Sequence, residues 1–196
     1  MLLRRCGTDA VLVEVDSLGQ VAAVRAALQG IPEVVELVPA ARTVLVVGGL
    51  AQVRQKLENI DLSAPPQTDK QKIVIPVHYD GPDLELVADT ANLTKEQVVE
   101  LHTGATYEVA FCGFAPGFGY LTGLPEPLQQ PRLDEPRTKV PAGSVGIAGE
   151  YTAAYPRATP GGWRLIGRTE ITLFDPRADR PTLLAPGDEV RFEVAG

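Results

Sequence analysis

The chain is 196 residues long, 44% hydrophobic and 22% charged, enough for one good hydrophobic core or two modest ones. With 25 acidic against 18 basic residues its formal net charge is -7, which excludes the excess of Lys and Arg that a nucleic-acid groove or an anionic membrane surface selects for. No apolar run approaches the roughly 20 residues that span a bilayer. The opening residues, MLLRRCGTDA, lack the pattern of a secretory signal, and the two cysteines, Cys6 and Cys112, are too far apart in sequence to suggest a disulfide framework or a metal knuckle. The expectation is a cytoplasmic protein with no membrane or nucleic-acid partner, both thiols reduced.

In chain order, residues 10–15 read as a strand, and Ser17 is placed to cap a helix whose apolar positions are Leu18, Val21, Val24, Ala27 and Leu28. Gly30 and Pro32 end that helix. Residues 34–38 and 43–47 read as two strands, and Leu50, Val53, Leu57 and Ile60 mark one face of a second helix. The order β-α-β-β-α predicts a small ferredoxin-like α/β sheet with its helices on one face. The stretch DLSAPPQTDK at 61–70 has the composition of a linker, and every aromatic residue lies at or beyond Tyr79. The expected domains are therefore 1–70 and 71–196.

In the second domain, residues 73–79 read as a strand, and Thr94 with Gln97 forms the sequence signature of a capping box opening a helix that Gly104 closes. From Thr106 onward short β-rich runs at 107–111, 144–148, 163–166, 171–174 and 189–194 are cut by Gly and Pro, a spacing that points to a barrel or sandwich. The fold class expected is α+β.

Several catalytic signatures nearly form and then fail. Gly117, Gly119 and Gly123 have one residue too many for a dinucleotide fingerprint, Ser144 lacks the first glycine of a nucleophile elbow, no phosphate-cradling loop is present, and two histidines without a CxxC make no zinc site. No metal is expected. The segment 111–168 is dense in Gly, Pro, aromatics and Arg. Phe114, Phe118 and Tyr120 stand among turn-forming residues and, with Trp163, are candidates to line a groove or to plug the end of a barrel. Arg132 and Arg137 bracket Asp134 and Glu135, so they are placed either to hold a carboxylate or phosphate, or to order their own loop. Residues 132–168 carry six basic against three acidic side chains, while the flanking stretches of this domain are acidic, a pattern that focuses positive potential on an anionic ligand or acidic partner, or marks solvated surface charge. His102 lies near the end of its helix, where the dipole favours the charged form; it is a candidate proton carrier or a helix terminator.

The run GFAPGFGYL at 113–121, the Pro-Arg pairs at 131–132 and 136–137, VPAGSVGIAG at 140–149, PGGWRLIGRT at 160–169 and PGDEVRF at 186–192 together resemble the family of 5-oxoprolinase B subunits (PxpB), KipI and allophanate hydrolase subunit 1. Tyr79, Asp80, Gly81, Pro82, Asp83 and Leu84, with His102 and Thr103, extend the likeness upstream. The resemblance implies a small α/β domain followed by a cyclophilin-like β-barrel, assembled with a KipA/PxpC-type homologous subunit and a LamB/PxpA-type protein. It implies one of three activities: a subunit of an ATP-dependent 5-oxoprolinase opening 5-oxo-L-proline to L-glutamate, a KipI-type inhibitor of a sensor histidine kinase, or an allophanate hydrolase/urea carboxylase-like subunit. ATP then belongs to the complex, and with Met1 the only methionine there is no Met-Lys-Met motif for covalent biotin. On this resemblance His102 is the catalytic candidate. Arg132, Arg137, Arg168, Ser144 and Tyr151 are substrate-binding candidates, and Phe114, Phe118, Tyr120 and Trp163 line the groove. Tyr151 stands where the family usually has glutamine, which replaces an amide by a phenol of different reach.

Overall fold

Two runs of hydrophobic periodicity fold into two units, Met1–Asp69 and Lys70–Gly196. The computed structural model describes residues 1–63 and 70–196, so most of the linker-like stretch at 61–70 lies outside the described residues.

The first unit runs β1 (Leu2–Cys6), β2 (Ala10–Glu14), α1 (Leu18–Leu28), β3 (Val34–Pro39), β4 (Thr43–Gly48) and α2 (Leu50–Glu58). Ser17 accepts from the Gln20 N–H and so fixes where α1 begins. The strands are antiparallel in the order β1-β2-β4-β3. Alternate residues Val11, Val13, Val44 and Val46 face Val21, Val24 and Leu28 of α1 and Val53 and Leu57 of α2. Numbered from β2, this is the strand order of a ferredoxin-like sheet whose outer strand comes from the N-terminus. That strand, β1, is absent from the β-α-β-β-α expectation. Its sequence LLRRC does not alternate and three of its residues are exposed, so it carries no period-2 signal; pairing with β2 makes it a strand.

The second unit contains β5 (Lys72–Val77), α3 (Leu84–Ala91), α4 (Lys95–Gly104), β6 (Tyr107–Cys112), β7 (Gly119–Thr122), β8 (Arg137–Val140), β9 (Ser144–Ala148), β10 (Tyr151–Ala154), β11 (Thr159–Gly161), β12 (Arg164–Arg168) and β13 (Glu189–Val194). Seven strands form one sheet in the order β12-β9-β10-β7-β6-β13-β5, with only β13 and β5 parallel; β8 and β11 make a separate ribbon. The sheet curls until its outer strands meet. His78 and Arg168 exchange backbone hydrogen bonds of 2.8 and 2.9 Å, and the Gly81 and Asp83 N–H groups continue along β12 to the carbonyls of Ile166 and Leu165. The result is a nearly closed barrel filled by Ile75, Val77, Tyr107, Val109, Leu121, Val145, Ile147, Ile166 and Phe192, into whose core α3 and α4 contribute Val87, Ala88 and Val98.

The capping box at Thr94 and Gln97 forms in both directions. The strand expected at 171–174 does not: only a bridge between Phe174 and Thr182 is made, although Leu173 is buried in the barrel core. Asp175 and Pro176 follow at once, and a proline has no N–H with which to extend a ladder.

Barrel closure depends on bare backbone at Gly81, where a Cβ would collide with the Ile166 carbonyl carbon, the Leu165 oxygen and the Gly167 nitrogen. Gly81→Ala is therefore expected to lower unfolding stability by about 3 kcal/mol, the upper range for overpacking, because backbone cannot step aside. Urea unfolding of the variant beside the parent chain measures this, and an unchanged midpoint would show that the 78–83 segment does not close the barrel.

Candidate functional site: a free arginine on an aromatic face

Each strand of the barrel has two faces, and the outer face of β7 and β10, with Trp163 just before β12, is aromatic. On β7 Leu121 turns into the barrel and Tyr120 turns out; on β10 Ala154 turns in, while Tyr151 and Ala153 turn out towards Tyr155. Phe118, Tyr155, Trp163 and Leu165 form the buried base of this second cluster, with Tyr120 and Tyr151 partly exposed above it. The rings meet mostly edge to face: Phe118 lies 5.2 Å from Tyr155 and 5.6 Å from Trp163, and Tyr120 lies 5.7 Å from both Tyr151 and Trp163. Phe111 stacks on Tyr120 at 4.4 Å. Tyr151, the departure from the family pattern, thus extends this aromatic layer.

The 113–118 loop hangs from the Gly113 N–H to Phe118 carbonyl bond of 3.1 Å. At its tip the Ala115 N–H reaches the Gly113 carbonyl, two residues back, at 2.7 Å, around Phe114 at φ +65°. That is a γ-turn of the rare, strained hand, and for a bulky side chain it costs about 1–3 kcal/mol. The Phe114 ring is 60% exposed, standing edge-on to Phe118 and Tyr155. Gly117 in the same loop, at φ +82°, has a plain packing reason to be glycine, since a Cβ there would come within 2.7 Å of the Phe174 Cβ.

Two of the three candidate arginines, Arg137 and Arg168, are each held by an acid of the 78–83 segment, while Arg132 and Arg137 both act on the Tyr155 hydroxyl. Arg137 is held by Asp83 at 2.6 Å and reaches the Trp163 carbonyl at 3.5 Å, while the other oxygen of Asp83 accepts from the Leu165 N–H at 2.7 Å. Arg168 pairs with Asp80 at 2.9 Å and with Glu170 at 3.5 Å. Two of the six cations of residues 132–168 are thereby neutralised by the β5–α3 loop, which removes most of the positive focus expected from the sequence. Arg132 remains. It makes no ion pair among the described residues, and its charge acts on the hydroxyls of Tyr120 and Tyr155. The Leu133 N–H binds the Gly162 carbonyl at 2.8 Å and so fixes the backbone beside it. Burial pushes both phenols up, Tyr155 to about 12, with Arg132 pulling the other way, so both remain neutral donors. Ser144 is buried at the start of β9, paired in register with Arg168, and its carbonyl accepts from the Tyr155 N–H at 2.9 Å, beside the aromatic layer.

His102 has no exposed surface, and burial pushes its pKa down to about 3. The expectation of a charged imidazole at the helix end is thereby corrected: desolvation outweighs the dipole. The Thr152 hydroxyl gives its one proton to the Gly146 carbonyl at 3.1 Å, so it accepts from His102 Nε2–H at 3.0 Å, and Nδ1 accepts from the Tyr79 hydroxyl at 2.8 Å. Tyr107 donates to the His102 carbonyl at 2.8 Å. Tyr79 lines a cavity of about 700 Å³ beside α3 and α4, with Leu84, Lys95, Val99 and Thr103. Among the described residues no three His, Cys, Asp or Glu side chains converge on a point that suits a metal ion, and no helix is long and apolar enough to cross a membrane.

Residues 1–184 match the family described as carboxyltransferase domain, subdomain C and D. The B subunit of 5-oxoprolinase from Escherichia coli O157:H7 is 46% identical over 177 residues, covering 84% of this chain and 80% of that protein. The chain belongs to the family of 5-oxoprolinase B subunits. A crystal structure of TTHA0988 superposes with a TM-score of 0.85 at 31% identity over 96% of this chain, which spans 40% of that longer chain. Urea carboxylase of Kluyveromyces lactis, at 21% identity and a TM-score of 0.75 over 99% of this chain and 22% of its own, shares the fold.

Asp83, Tyr79, Thr152 and Tyr155 were not singled out as site residues. Asp83 and Tyr79 lie inside the upstream family motif and Tyr155 beside a Pro, but nothing in their local pattern says what they contact.

Two outcomes are expected. Asp83→Ala should cost about 3 kcal/mol and Arg137→Ala about 2 kcal/mol in urea unfolding, the buried partner costing more because its loss also strands the Leu165 N–H; equal, negligible losses would reduce the pair to a surface contact. For His102 the folded pKa is depressed below the unfolded value of about 6.5. Below that pH the unfolded chain takes up a proton that the folded chain refuses until about pH 3. Stability should therefore fall with decreasing pH, by up to about 1.4 kcal/mol per pH unit from this group. Between pH 7 and 5 the slope should be shallower in His102→Gln than in the parent chain, whatever the variant's baseline; identical slopes would mean the imidazole titrates freely in the fold.

Proposed function

We propose that this chain is the B subunit of an ATP-dependent 5-oxoprolinase and acts only with partner chains, a KipA/PxpC-type homologous subunit and a LamB/PxpA-type protein. The observation that carries this reading is the 46% identity to a protein named as the B subunit of 5-oxoprolinase, across 80% of that protein's length. The substrate, 5-oxo-L-proline, is a small lactam bearing one carboxylate, and its product is L-glutamate. ATP, entering at the level of the complex, supplies the activation of the lactam carbonyl.

This chain's part is to hold the anionic substrate. Of the arginines suggested by the sequence, Arg132 is the one whose guanidinium is not already occupied by a carboxylate among the described residues, and its charge acts on the hydroxyls of Tyr120 and Tyr155 of the aromatic face. Arg137 and Arg168 serve the same reading indirectly, by holding the β5–α3 loop against β12. A proton reaching His102 has to pass the Tyr79 hydroxyl, so its role as a proton carrier requires Tyr79 as the intermediary.

The test is reconstitution. The chain mixed with its partner subunits should release glutamate from 5-oxoproline only when ATP is present, and the chain alone should release none. Arg132→Gln in the same mixture should reduce kcat/KM on the order of a hundredfold, the worth of one hydrogen-bonded charge. Turnover by the isolated chain, or none by the mixture, overturns the reading.

A further inference from the structure

Arg132 and the two phenols beside it carry hydrogen-bonding capacity that the fold does not use. Tyr155 is 2% exposed, yet its hydroxyl has no hydrogen-bond partner among the described residues. It is seated against Gly161, where a Cβ would stand 2.8 Å from it, so that glycine leaves the room it occupies. The hydroxyl of Tyr120 is likewise without a partner among the described residues. Neither hydroxyl is among the buried atoms left without a partner, so both oxygens reach the surface, where a donor not used by the fold is open to a ligand. The Leu133 N–H to Gly162 carbonyl bond of 2.8 Å brings the backbone next to Arg132 alongside Gly161, against which the Tyr155 hydroxyl is seated. Arg132 is exposed, makes no ion pair among the described residues, and acts on both hydroxyls, with Arg137 acting on that of Tyr155 as well.

Phe114 adds an independent observation. A bulky residue at φ +65° and 60% exposure is unfavourable twice over, in backbone strain and in apolar surface left in water. Glycine would remove both disadvantages, and the sequence uses glycine at 113 and 117, on either side. Its contacts inside the chain are edge-on ones to Phe118 and Tyr155, which leave most of the ring in water.

We propose that Arg132, Tyr120 and Tyr155 form a carboxylate-binding site, and that the ring of Phe114 is the wall against which the apolar body of a small ligand lies. The guanidinium and two neutral phenols supply donors to the carboxylate oxygens, and the shallow, ring-lined surface suits a compact body of a few methylene groups. The inference deepens the reading given above, from which it takes the identity of the carboxylate.

Trp163, the only tryptophan, lies 5.7 Å from Tyr120 and 6.5 Å from Tyr155 and reports on the site directly. The full chain is titrated with 5-oxoproline, glutamate and inorganic phosphate while its emission is followed. Either carboxylate should give a saturable change and phosphate should not. Tyr155→Phe and Tyr120→Phe, which keep the rings, should each weaken binding about tenfold without lowering Tm, and Arg132→Gln should abolish it. Phe114→Gly should raise Tm and weaken binding together, a combination a structural role would not produce. No saturable response, a phosphate response equal to that of the carboxylates, or parent-like binding by Tyr155→Phe overturns the site. Turnover in the reconstituted complex separates the two readings. Carboxylate binding through these residues without turnover leaves the site and removes the oxoprolinase reading, whereas turnover indifferent to Tyr155→Phe and Arg132→Gln does the reverse.

Discussion

Everything in the second unit depends on the carboxylate of Asp83. It is almost completely buried, and it spends one oxygen on the Leu165 N–H and the other on Arg137. A buried charge is tolerable only when paired and hydrogen-bonded, and here the pairing does three things at once. It holds the 78–83 segment against β12, which closes the barrel; it anchors the residue from which α3 leaves, without capping that helix; and it draws Arg137, on the β8–β11 ribbon, to the same strand. The Arg168 to Asp80 contact repeats the arrangement at the exposed end of the loop, where a pair in water adds little.

The aromatic face is a consequence of that closure. Once β12 is fixed, Trp163 and Leu165 become the edge against which Phe118 and Tyr155 pack, and Tyr120 and Tyr151 cover them. The face is polar where the chain supplies Arg132 and the hydroxyls of Tyr120, Tyr151 and Tyr155. Arg132, exposed and with no ion pair among the described residues, keeps its guanidinium available to a carboxylate from outside, whereas Arg137 and Arg168 are committed to Asp83 and Asp80.

Local signals were the legible part. Ser17 and the Thr94–Gln97 capping box announce helices because they satisfy backbone donors within a few residues, and both form as expected. The strand runs at 144–148 and 189–194 keep their bounds for the same local reason. α3 escaped notice because Asp83, at its N-cap, makes no capping bond; its carboxylate is committed to partners 54 and 82 residues away. The engagement of Arg137 and Arg168 is illegible for the same cause. Sequence spacing shows that arginines are available, but the acids that occupy them lie 54 and 88 positions distant, and such pairings are properties of the closed barrel. The aromatic motif was visible as composition, while the strained turn that raises Phe114 clear of its neighbours was not.

The alternation along β10 joins the barrel's interior to this face. Thr152 points inward, where its hydroxyl bridges His102 of α4 and the Gly146 carbonyl, and Tyr151 and Ala153 on either side point outward. Because strand side chains alternate with period two, β10 cannot slip by one residue against β9 without placing Thr152 among the rings and Tyr151 in the dry core. The buried imidazole therefore enforces the register that presents Tyr151, and through the same strand fixes where Tyr155 emerges. Its value is that it stays neutral: a charged His102 would lose the acceptor that Tyr79 needs and loosen α4 from β10. A residue that looked from sequence like a proton carrier thus does its clearest work as the pin that holds the outer face in place.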